Sequence, residues 1–226
     1  MWVVKLGGSL NTDPLLPQWL DLLVQLGGGR VTLVCGGGAF ADEVRRAQAH
    51  WRFDDLAAHN MAVLAMAQSA YMAWGLNPKL QLATSEAEIR KVLHSGHTAL
   101  WLPSEWLRTQ PDRHANWDNS ADSIALDLAR SLNAERMVVV KSCAVEPTAG
   151  LQGAPRAGRW PGPPPEGVKE LGSGPSFLEA LAEAGVLDRR FIGLAQGAAF
   201  PIDVIQRGEL ARMRVLLLGE TRLSET

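Results

Sequence analysis

The sequence predicts an α/β fold built on a mainly parallel central sheet, and three observations carry that prediction. Short apolar runs alternate with segments of helical periodicity. The first two apolar runs each end in a glycine turn that leads into a helix. Arg136 to Lys141 is a continuous apolar run, as in parallel strands buried on both faces.

Taken in order, Trp2 to Leu6 is the first strand, closed by Gly7-Gly8-Ser9. Asp13-Pro14 has the form of a helix start, an N-cap followed by a proline whose missing N–H costs nothing. Leu15, Leu16, Trp19, Leu22, Leu23 and Leu26 then recur at helical spacing up to Gly27-Gly28-Gly29. Val31 to Cys35 is a second strand ending in Gly36-Gly37-Gly38, with a helix from Ala39 to Ala49. His59 to Trp74 is a strongly apolar helix, serving either the core or contact with another subunit. Gln81 to Ala83 and Thr98 to Leu102 are short strands around a short helix, Glu86 to Leu93. A polar stretch, Thr109 to Ser120, precedes a helix from Asp122 to Leu132 and the strand Arg136 to Lys141. Glu146 to Pro175 is rich in glycine and proline and reads as a long surface loop. Ser176 to Ala184 is helical, Phe200 to Ile205 a strand, and the chain from Gly208 helical again.

Composition sets limits on function. The 226 residues fit a single domain, and 46% hydrophobic with 20% charged residues suffices for a core. A formal charge of −2 gives no general attraction to nucleic acid or an anionic membrane. Met1-Trp-Val-Val-Lys-Leu is too short for a signal peptide, and Met61 to Trp74 falls short of a membrane span. A soluble, cytoplasmic protein is expected. Cys35 and Cys143 follow β-like runs without C-x-x-C spacing and read as buried, reduced thiols.

A phosphate group needs several donors in a small space, which backbone amides supply where no side chain blocks approach. In a parallel sheet, Gly7-Gly8-Ser9 and Gly36-Gly37-Gly38 lie at one carboxyl edge, where open α/β folds bind ligands. The alternative is that they are tight turns and nothing more. The chain has 17 arginines but only five lysines: Lys5, Lys79, Lys91, Lys141 and Lys169. Against that bias, Lys5 between Val4 and Leu6 reads as a functional point charge. Lys141, closing its strand, is either functional or solvated. Asp122 is either a first-turn carboxylate or one that orients the lysines across the sheet edge. Gly36, Gly38 and Ala41 match G-x-G-x-x-A, but Trp51-Arg-Phe-Asp-Asp is no second strand, so dinucleotide binding is weakly supported. The five histidines, His50, His59, His94, His97 and His114, show no ligand or triad spacing, and no metal-ligand set emerges.

Val3-Val-Lys-Leu-Gly-Gly-Ser, Val34-Cys-Gly-Gly-Gly-Ala and Asn119-Ser-Ala-Asp-Ser-Ile-Ala together resemble the amino acid kinase superfamily. Within it the chain is most similar to the archaeal aspartokinase-related kinases, a group that includes kinases acting on aminomethylfuran phosphate in one-carbon cofactor biosynthesis. The resemblance implies a single three-layer αβα domain, with the acceptor bound by about 1–135 and the nucleotide by about 136–226. It implies ATP and Mg²⁺ as cofactors, a small-molecule substrate, and a homodimer or higher homo-oligomer. It gives catalytic roles to Lys5 and Asp122, with Lys141 as a possible second charge, and a phosphate cradle to Gly7, Gly8 and Ser9. Substrate binding falls to Gly36, Gly37, Gly38, Asp118 and Asn119.

Two departures stand out. A T-D-V-D-G-V-Y-like run is replaced by Lys141-Ser-Cys-Ala-Val-Glu-Pro, and the G-G-M-x-x-K segment is missing. The expected reaction is in-line γ-phosphoryl transfer to an anionic oxygen, which needs positioning and charge but no general base. Arg113, His114 and Asn119 are further candidates for acceptor contact. The competing class is a non-catalytic nucleotide- or oxyanion-binding protein of the same fold; a nicotinamide dehydrogenase comes third.

Overall fold

The computed structural model describes residues 1–105, 120–143 and 175–219. Among them run six parallel strands in the order β3-β4-β2-β1-β5-β6. These are β1 (Trp2–Leu6), β2 (Val31–Cys35), β3 (Gln81–Ala83), β4 (Ala99–Trp101), β5 (Arg136–Lys141) and β6 (Ile202–Gln206). Helices α1 (Leu16–Gly27), α2 (Gly38–Trp51), α3 (Asp55–Leu76), α4 (Glu86–His94), α5 (Ala121–Ser131), α6 (Pro175–Glu183), α7 (Arg189–Ala195) and α8 (Leu210–Leu218) flank the sheet. The α/β sandwich expected from the sequence is therefore the fold observed.

Alternation along the strands sorts two cores. Val3 packs with Val34, Ile124, Leu128, Val139 and Phe191 on one face. Val4 and Leu6 pack with Leu10, Trp19, Leu33, Val138 and Ile205 on the other. Lys5 therefore shares the Val3 face, opposite Val34 of β2 and Val139 of β5. Trp19, Leu20 and Leu23 are fully buried, each contributing about 1.5–3 kcal/mol by leaving water. β1 has β2 on one side and β5 on the other, so the chain's path across the sheet reverses there. Such a reversal opens a crevice beyond the carboxyl ends of the strands.

Several local expectations shift. The first α-helix starts at Leu16, with Pro17 rather than Pro14 in its first turn. Asp13 instead accepts the Leu15 amide at 2.9 Å and pairs with Arg207, closing a turn before the helix. A 3₁₀ turn, Gly8–Thr12, and helix α7 were not read from the sequence. Cys35 is buried as expected, but Cys143 is exposed because it lies two residues beyond the end of β5. Helix α3 is apolar on all sides: Val63, Met66 and Ala70 are buried, while Met61, Leu64, Tyr71 and Trp74 stay exposed. The polar stretch 109–119 and most of the loop 146–175 lie outside the described residues. No described helix is long and apolar enough to cross a membrane.

Candidate active site

Lys5 is 4% exposed in the middle of the sheet. A buried ammonium is costly unless a counter-charge meets it, and Asp122 does so. Lys5 Nζ lies 2.6 Å from Asp122 Oδ1, and Lys141 Nζ lies 2.5 Å from Oδ2. Asp122 stands in the first turn of α5, but the N-cap is Ser120, whose hydroxyl oxygen accepts the Asp122 amide at 3.1 Å. Of the two readings left open for Asp122, the geometry is that of the carboxylate between the lysines. Its Oδ1 lacks a well-aligned hydrogen bond despite the closeness of Lys5.

Burial pushes the Lys5 ammonium below the ordinary lysine value, with Asp122 opposing and Lys141 adding to the fall. Burial alone would raise Asp122, but Lys5 and then Lys141 outweigh it and hold the carboxyl below its usual range. Burial also pushes the Cys35 thiol up to about 12, against the Lys5 charge. Cys35 is therefore no thiolate near neutral pH.

The two glycine turns touch. A Cβ on Gly8 would lie 2.3 Å from the Gly38 nitrogen, and one on Gly36 would lie 2.5 Å from the Gly8 nitrogen. Gly38 has φ +53°, and its Cβ would meet the Gly8 carbonyl oxygen at 2.4 Å. The glycines are thus required by the mutual approach of the turns, whatever ligand they meet. Gly7 donates its amide to the Val140 carbonyl at 2.9 Å. The amides of Gly8 and Ser9 open the 3₁₀ turn, where the helix itself offers no acceptor. Ser9 reaches the Ser142 hydroxyl at 2.6 Å, tying the first turn to the end of β5. Asn11 and Ser69 brace the second: Asn11 Nδ2 donates to Ser69 Oγ at 2.7 Å, and Ser69 donates to the Gly37 carbonyl at 3.2 Å.

A cavity of about 490 Å³ opens over this rim. Lys5, Gly8, Ser9, Gly36, Gly37, Gly38 and Asp122 line its floor. Asp42, Arg45, His59, Val63 and Met66 of α2 and α3 form a wall. Gly7 and Lys141 are not among the lining residues. His50, His94 and His97 are exposed, so His59 is the described histidine that meets the cavity. Asp118, Asn119, Arg113 and His114 lie outside the described residues.

A glycine rim beside a buried ammonium fits a phosphate chain. For a metal ion the fit is different: among the described residues no group of three or more His, Cys, Asp or Glu side chains is placed to hold one. The sequence reading missed Asn11, Ser69, Ser120, Ser123 and Asp188. Ser120 and Asp188 carried a local signal, a helix-capping residue before Ala121–Ser131 and before Arg189–Ala195.

Residues 1–144 match the amino acid kinase family. The chain belongs to that family. A curated relative is the [5-(aminomethyl)furan-3-yl]methyl phosphate kinase of Methanocaldococcus jannaschii, 24% identical over 143 residues. That alignment covers 62% of this chain and 64% of the relative, so the chain is matched over less than two thirds of the relative's length. Among solved structures, uridylate kinase from Archaeoglobus fulgidus superposes with a TM-score of 0.68 at 16% identity, covering 97% of this chain and 96% of that one. The UMP kinase of Bacillus anthracis gives 0.64 at 17% identity, covering 97% and 92%. The fold is that of the amino acid kinases.

Proposed function

We propose that the chain is an ATP-dependent kinase that transfers the γ-phosphoryl group to an anionic oxygen of a small metabolite. The observation that carries this reading is the buried Lys5 ammonium, paired with Asp122 and facing a cavity between two touching glycine turns. A new bond forms between the acceptor oxygen and the γ-phosphorus. The bond from that phosphorus to the β,γ-bridging oxygen breaks, and ADP leaves. A phosphomonoester or carboxylate is already ionised near neutral pH, so no base has to remove a proton. Lys5 follows the transferring group as a point charge, while Gly8 and Ser9 offer amides to its oxygens. Mg²⁺, if supplied with the nucleotide, would neutralise charge on the phosphates.

The cavity above Gly36 to Gly38 takes the acceptor, and the end of β5 takes the nucleotide. This keeps the division of a single domain at about residue 135. Aminomethylfuran phosphate and uridylate are the first acceptors to test, because relatives act on one or are named for the other. The exposed apolar side of α3, with Met61, Leu64, Tyr71 and Trp74, suits a homodimer. A cytoplasmic setting and a place in one-carbon metabolism belong to the same reading.

The deciding experiment is an ATP·Mg²⁺ assay over phosphomonoester and carboxylate acceptors, followed by phosphorus NMR. A diphosphate or acyl-phosphate product is expected. The second reading, a nucleotide- or oxyanion-binding protein without turnover, is favoured by the missing G-G-M-x-x-K segment. ATP binding with no acceptor-dependent ADP release would select it.

A further inference from the structure

We infer that Asp188 is a positioning residue of this centre, fixing the end of α5 that carries Asp122 through the hydroxyls of Ser120 and Ser123. The inference rests on the kinase reading for its catalytic meaning, though not for its geometry. Asp188 lies beyond residues 1–144 that match the family, on the segment that enters α7.

Its carboxylate is shared three ways. Oδ1 accepts the Phe191 amide at 2.6 Å, capping α7, and also accepts the Ser123 hydroxyl at 2.6 Å. Oδ2 accepts the hydroxyl of Ser120. The Ser120 oxygen in turn accepts the Asp122 amide at 3.1 Å. A chain of hydrogen bonds thus runs from the Asp188 carboxylate through Ser120 to the residue that holds both lysines. An N-cap serine needs only an acceptor oxygen. Donating its proton to a carboxylate fixes the rotor, so its lone pairs face the α5 amides, and polarises the hydroxyl. Phe191 is fully buried with Ile124 and Leu128, so the anchor of Asp188 is part of the core that supports α5.

The charges agree with this placement. The charges of Asp122 on α5, Lys141 on β5 and Asp188 before α7 all act on Lys5, and its own charge reaches the Cys35 thiol of β2. Asp188 helps Lys5 keep its proton against burial. Two carboxylates therefore stand against two ammoniums, and Asp188 comes from a stretch of chain far from the other three in sequence.

Two variants separate positioning from plain support of the fold. Asp188→Asn keeps a carbonyl oxygen for the Phe191 amide but loses the charge, and Ser120→Ala leaves the α7 cap whole while cutting the link to Asp122. Each is expected to lower kcat by roughly 10–100-fold, the scale of lost supporting contacts, with KM for ATP and acceptor little changed. Asp188→Glu is expected to recover part of the loss. A kcat equal to the parent's in either folded variant overturns the inference, and Ser120→Ala decides if Asp188→Asn does not fold. If the parent transfers no phosphoryl group to any acceptor, the kinase reading fails, and the ¹⁵N signal of the Lys5 ammonium then tests the geometry. Lys5 should lose its proton at lower pH in a folded Asp188→Asn or Ser120→Ala variant than in the parent; an unchanged titration overturns the inference.

Discussion

The ends of β1 and β5 present the same ion to the same carboxylate in different surroundings. Lys5 is 4% exposed, one residue short of its strand's end and flanked by Val4 and Leu6. Lys141 is 13% exposed and is the last residue of its strand. The first ammonium is walled by the sheet and meets open space at the cavity. The second is held chiefly by Asp122 at 2.5 Å. The difference teaches that burial, more than ion pairing, distinguishes the two ammoniums, since both meet Asp122 and only Lys5 lies inside its strand.

The largest expected effect breaks the comparison at its fixed end. Lys5→Ala should lower kcat by about 10²–10³-fold, the scale seen on removal of one preorganised charge stabiliser. Steady-state kinetics with the best acceptor, beside circular dichroism to verify folding, would check it; unchanged turnover removes Lys5 from the mechanism.

Next comes the shared partner. Asp122→Ala leaves two buried or half-buried ammoniums without the carboxylate that both contact and should destabilise the protein by about 3–5 kcal/mol at neutral pH. Urea unfolding at matched m-values measures it. A variant as stable as the parent would mean that the cluster is hydrated rather than buried.

Lys141→Ala should sharpen the contrast by doing less. Turnover falls by a smaller factor than in Lys5→Ala, and the ATP KM rises, because this charge lies toward the proposed nucleotide end. Equal losses in the two variants would remove the distinction drawn from burial.

The smallest effects are those of pH. Burial lowers the pKa of Lys5 in the folded protein, so its ammonium should be lost below the free lysine value of about 10.4. Between the folded and unfolded values the unfolded chain binds more protons, so this group's contribution to stability rises with pH there. The alkaline limb of the kcat profile should accordingly start earlier than free lysine allows. Asp122 acts at the other end. Its folded pKa is depressed, so its stabilisation is fully present above the unfolded value of about 3.9 and is lost as pH falls through the folded value. Acid unfolding of Asp122→Ala should lack that component.

Much of the fold was legible because β1, β2 and β5 are apolar runs that work equally well wherever a sheet buries both faces. The scarcity of lysine made Lys5 and Lys141 visible. Helix α3 could not be assigned a side, since its apolar residues surround it and periodicity carries no direction. Asp13 passed for a helix cap because its local pattern is right, and the pairing with Arg207 that claims it comes from 194 positions away. Asp188 went unread with the short helix that it caps, because its partners Ser120 and Ser123 lie more than 60 positions away.

The sequence by itself determined the strand order in time, the glycines at both turns and the presence of a charge inside β1. Each is a property of near neighbours, where sterics and burial act within a few residues. The tertiary structure alone decided that the turns touch, that Asp122 stands between two lysines, and that a carboxylate from beyond the family match supports it. Those facts arise from side chains meeting across strands and helices. The energy that selects such contacts is gained only once the sheet has brought distant segments together.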